Sequence, residues 1–132
     1  MNLDAESREP DAPGLDLWRL PRILNINIAH VRYEKPIQRY TGPNTLAEYP
    51  EAVEIRVQTS EPFIARAIAP VLYVGSTMVP DFEGEGDNRY RFFAFDFNRL
   101  KKGAMISLGW PETPSPRVKT DFRYEIEREE AR

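Results

Sequence analysis

The densest group of chemically able side chains is Asp81-Phe82-Glu83-Gly84-Glu85-Gly86-Asp87-Asn88, with four carboxylates on alternate residues and Gly86 in the sixth position, as a calcium-binding loop requires. The pattern then breaks. Position twelve, where such a loop needs a bidentate glutamate, is Phe92 within an expected strand, and no flanking helices are expected. Acids and glycines that solvate a turn account for the stretch, so no metal is expected there. His30 is the single histidine and cysteine is absent, which leaves no thiolate metal site, disulfide, cysteine nucleophile or paired-histidine site to assemble. None of Ser7, Ser60, Ser76, Ser107 or Ser115 sits in a Gly-x-Ser-x-Gly elbow. A glycosidase needs only two suitably spaced acids, but a sequence cannot display such a pair. No catalytic residue and no cofactor is assigned, and the expectation is a protein that is not an enzyme.

Aromatic residues are the next candidates. Arg91-Phe92-Phe93-Ala94-Phe95 overlaps the strand pattern with which RNA-recognition motifs stack bases, yet Phe92 takes the place of the required glycine and Asp96 that of an aliphatic residue. With 18 basic against 21 acidic residues the net charge is −3, the wrong sign for a polyphosphate partner, so no nucleic acid is expected. Trp18, Tyr33, Tyr40 and Tyr49 are the aromatic side chains least committed to strand interiors. They are the candidate binding residues, as a landing surface for a partner or a platform for a sugar. The competing reading folds them onto their own domain as a satellite cluster.

The elements that must carry these residues are strands. Val53, Ile55 and Val57 alternate with Glu54, Arg56 and Gln58 between Ala52 and Thr59, giving a strand with one core face and one wet face. Arg89 to Phe95 predicts a strand loaded on both faces, Asp96 to Gly103 a corner, and Met105 to Trp110 the returning strand. Between Arg22 and Tyr33 the apolar parity changes, from Leu24, Ile26 and Ile28 to Val31 and Tyr33, which predicts a β-bulge near Ala29 and His30. Pro36, Gly42-Pro43, Asn44 and Pro50 predict that Glu34 to Pro50 is a long connecting loop, the favoured functional segment. Ile64 to Val74 reads as a central strand with Pro70 at a bulge, and Gly75-Ser76 as a tight turn. Arg117 to Glu127 reads as one long final strand with a charged face, the candidate exposed edge.

A chain of 132 residues suits one core, and 7 Phe, 6 Tyr and 2 Trp can fill it. The organisation expected is an N-terminal extension over 1–20 and a single domain over 21–132. The acidic, polar start and the lack of a long apolar stretch lead to a cytoplasmic protein with no membrane partner. About seven short strands without an amphipathic helix predict an all-β antiparallel sandwich, with a small open barrel as the alternative. Over residues 22–127 the strand spacing and the Asp96 to Gly103 corner resemble an immunoglobulin-like or fibronectin-III-like sandwich, without the paired cysteines and intervening tryptophan of antibody domains. The resemblance implies layout alone. The expected function is therefore a non-catalytic protein-interaction or oligomerisation module, with small-ligand or carbohydrate binding as the alternative and an enzyme as a weaker one.

Overall fold

The structure is a computed structural model that describes residues 19–63, 68–111 and 117–132. Trp18 and residues 64–67 of the expected Ile64 to Val74 strand lie outside the described residues. Among the described residues nine strands follow in chain order: β1 (Ile23–Gly42), β2 (Thr45–Thr59), β3 (Val71–Val74), β4 (Thr77–Val79), β5 (Phe82–Gly86), β6 (Arg89–Ala94), β7 (Met105–Gly109), β8 (Val118–Arg123) and β9 (Arg128–Ala131). They form a five-stranded sheet in the order β5-β6-β2-β1-β9 and a four-stranded sheet in the order β4-β3-β7-β8. The two sheets remain open rather than closing on each other, so the architecture is a sandwich and the barrel alternative falls away. Among the described residues no helix is long and apolar enough to cross a membrane.

The core follows from alternation. Ile26 and Ile28 of β1, Val53, Ile55 and Val57 of β2 and Phe92 of β6 face Leu72, Val74, Ile106 and Leu108 of the opposing sheet, and all are buried. Fully burying each such side chain stabilises the fold by roughly 1.5–3 kcal/mol. At one end Phe63 stacks on Tyr90, ring centroids 3.9 Å apart, with Phe82 edge-on to both. Three tight connections were legible from their residues. Gly75 has a φ of 63° in the β3–β4 turn, and Asp87 and Asn88 have φ of 53° and 60° between β5 and β6, as a mirror-image hairpin turn demands. The corner after β6 contains a single 3-10 turn, Phe97–Arg99.

Four expectations are corrected. The segment Glu34 to Pro50 is not a loop. It is the far half of a β1–β2 hairpin that closes with Gly42 opposite Thr45, around Pro43 and Asn44 at φ 59°. Its prolines sit where no ladder bond is needed: Pro36 and Pro50 fall in the register break between the Arg32–Glu51 and Ile37–Tyr49 pairs, and Pro43 lies in the turn. Nor is there a bulge at Ala29 and His30, because pairing runs unbroken from Asn25 to Arg32. The parity change arises because Ala29 and Val31, on the outer face, are buried as thoroughly as Ile26 and Ile28 on the inner. Asp81 to Asn88 contains strand β5 rather than a bare loop. The final strand splits in two: β8 edges the smaller sheet, and after Tyr124 to Glu127 the chain crosses to place β9 beside β1, the one parallel pair among the described residues.

Candidate functional site

Side chains able to bind or react gather on the outer face of the five-stranded sheet. In β2 the residues that alternate with the core set, Glu54, Arg56 and Gln58, were expected to be wet, but Glu54 is buried, 1% exposed. A carboxylate survives there only if paired and hydrogen-bonded. Arg132 donates from Nη1 to both oxygens at 2.9 and 3.1 Å, the Tyr33 hydroxyl donates to Oε2 at 2.7 Å, and Arg91 Nε stands 3.7 Å away. Burial, then the bond to Glu54, pushes the Tyr33 hydroxyl well above its ordinary value. Arg132 also donates to Glu130 at 2.8 Å, and Arg128 donates to the other oxygen of that carboxylate. The hydrogen bonds from Arg132 and Arg128 hold the Glu130 carboxyl down at about 2. This chain of charges clamps β9 to the sheet.

The distal half of the β1–β2 hairpin forms an arm beside the cluster of Phe93 and Phe95. Ile37, Arg39, Ala47 and Tyr49 are half-buried on one of its faces, while Gln38, Tyr40, Leu46 and Glu48 are exposed on the other. Arg39 donates from Nε to Asp81 at 2.8 Å and lies over the rings of Phe93 and Phe95, at 5.4 and 5.6 Å from their centroids. Tyr49 stacks on Phe95 at 4.3 Å. The aromatic residues that suggested base stacking thus receive the chain's own arm.

The expected site residues fall in different places. Tyr33 is engaged with Glu54 and Tyr49 with Phe95, whereas Tyr40 projects to solvent, 78% exposed, opposite Leu46 at 47%. Trp18 lies outside the described residues. His30 meets Glu51 through Nε2 and Glu129 through Nδ1, at 2.7 Å each, and lies against Phe97. This arrangement ties β1 to β9. Of the acids of the suspected calcium loop, Asp81 and Glu83 face Arg39, and Glu85 takes two bonds from Arg91. Among the described residues no group of three or more histidine, cysteine or acidic side chains is placed to hold a metal ion. The roles of Glu54, Arg91 and Arg132 were not legible in the sequence, because their partners are far apart in the chain. The one available signal was a glutamate between Val53 and Ile55.

Beyond the arm the outer face opens into a polar groove of about 470 Å³ lined by Asn25, Asn27, Arg56, Gln58, Glu85 and Arg89. Compared with known proteins, the chain matches no family model, no curated protein and no solved structure.

Proposed function

We propose that the protein is a non-catalytic interaction module that docks through the tip of its β1–β2 arm, onto a protein partner or a second copy of itself. The observation that carries this reading is the cross-strand pair Tyr40–Leu46, an exposed apolar patch on an arm whose opposite face is anchored to the body by Arg39 and Tyr49. A rigid aromatic beside an aliphatic residue is what a partner's pocket takes as an anchor, with little entropy left to lose. An immunoglobulin-like layout, in which elements at one end of a sandwich serve recognition, is part of the same reading. The sheet edges suit docking less well. β8 exposes Lys119, Asp121 and Arg123, and β9 carries Arg128, Glu129 and Glu130, charges that discourage added strands. No nucleic acid or membrane partner belongs to this reading.

The test replaces Tyr40 and Leu46 together with serine. Both are exposed, so stability should change by no more than about 0.5 kcal/mol each, while association is lost in sedimentation velocity or in capture of a stoichiometric partner. A variant that associates as the parent does would refute docking through the tip.

A further inference from the structure

We infer that the groove on the outer face, between Asn25, Asn27, Gln58 and Arg89, is a binding site for a small molecule carrying an oxyanion, a carboxylate, sulfate or phosphate, with Arg56 as the residue that receives it. In register, Arg56 of β2 lies directly opposite Arg91 of β6. Like charges so placed repel, and such a pair is ordinarily relieved by counter-charges. Only Arg91 has full relief. Glu85 accepts from Arg91 at Nε and Nη2 through Oε2, while its Oε1 stands 3.7 Å from Arg56 Nε, beyond hydrogen-bond reach. Arg56 Nε is buried and has no hydrogen-bond partner among the described residues. The Arg56 side chain as a whole is 35% exposed and lines the groove, so an oxyanion there meets the accessible part of the guanidinium and supplies the counter-charge that Glu85 offers only at 3.7 Å.

The rest of the lining fits the same ligand. Arg89, on the next row of β6, is exposed and makes no ion pair or side-chain hydrogen bond among the described residues. Two arginines and one glutamate therefore line a groove in a protein of net charge −3. Asn25, Asn27 and Gln58 add amides that both donate and accept, the complement of a ligand body with hydroxyl or amide groups. A volume of about 470 Å³ suits a small molecule rather than a polymer.

The experiment is an amide NMR titration of the full-length protein with sulfate, inorganic phosphate and glucuronate, at ionic strength held constant with sodium chloride and with glucose as the neutral control. Expected are saturable shifts at Asn25, Asn27, Gln58 and Arg89. Arg56→Gln should weaken binding about tenfold or more, the loss of one charge-assisted contact, and Glu85→Gln should tighten it. Saturation by sulfate and phosphate assigns a bare oxyanion pocket, and saturation by glucuronate alone assigns a carboxylate on a polyol; both support the site. Should Arg56→Gln fail to fold, the exposed Arg89→Gln provides the same comparison, and unchanged affinity there overturns the proposal. Equal binding of glucose, or no saturable shift with any of the three anions, also overturns it.

Discussion

Glu54 makes the body of this protein depend on a few polar side chains. A carboxylate buried in the outer face of a sheet is stable only while Arg132 and Tyr33 serve it, so removing one partner should cost more than the net strength of the contact. Arg132→Gln is expected to destabilise by about 3 kcal/mol, read by urea denaturation, and Glu54→Gln in the same chain should recover part of that loss. No recovery would mean the two residues are not coupled. Tyr33→Phe should cost about 1–2 kcal/mol at neutral pH and also change the alkaline limb. The Tyr33 hydroxyl titrates higher in the fold than its ordinary 10.0, so its stabilisation is complete below pH 10 and is lost as pH rises beyond it. The phenylalanine variant should lose less stability between pH 10 and 11 than the parent, as thermal melts would reveal. None of this could be read from the sequence, because Tyr33, Glu54, Arg91 and Arg132 are brought together only by strand register.

At the scale of elements, what the sequence made legible and what it hid have a common physical origin. The core set Val53, Ile55 and Val57 of β2 was readable from its alternation, and the strand, corner and return from Arg89 to Trp110 from apolar runs on either side of a turn that holds Gly103 at φ 87°. Alternation misleads where a second layer covers the outer face. Ala29 and Val31 look like a change of parity only because the outer face at that level is closed. Prolines that suggested a loop mark instead the break and the tip of a hairpin. The alternating charges after Val118 show an edge without showing that the chain changes sheets at Tyr124. β9 offers the clearest test at this scale. Glu130 titrates at about 2 in the fold against an ordinary 4.5, so its contribution is complete above pH 4.5 and lost as pH falls toward 2. Hydrogen exchange at Glu34 and Arg132, whose amides close the β1–β9 pairing, should accelerate over that window before the core opens. Exchange that rises everywhere at once would show that β9 has no independent stability.

For the whole molecule, the sandwich supplies a rigid body, the clamp of charges fixes its last strand, and the arm projects the apolar pair Tyr40–Leu46 beyond it. Such a layout separates the parts that hold the fold from the exposed tip, so the tip can change without harm to stability. The most direct measurement is site-specific photocrosslinking in the native host, with the reactive group at position 40 and, as control, at the exposed Lys101. A discrete adduct from position 40 alone, of a partner's mass or twice that of the chain, is the predicted result. The same diffuse products from both positions, or none from either, would contradict docking through the arm.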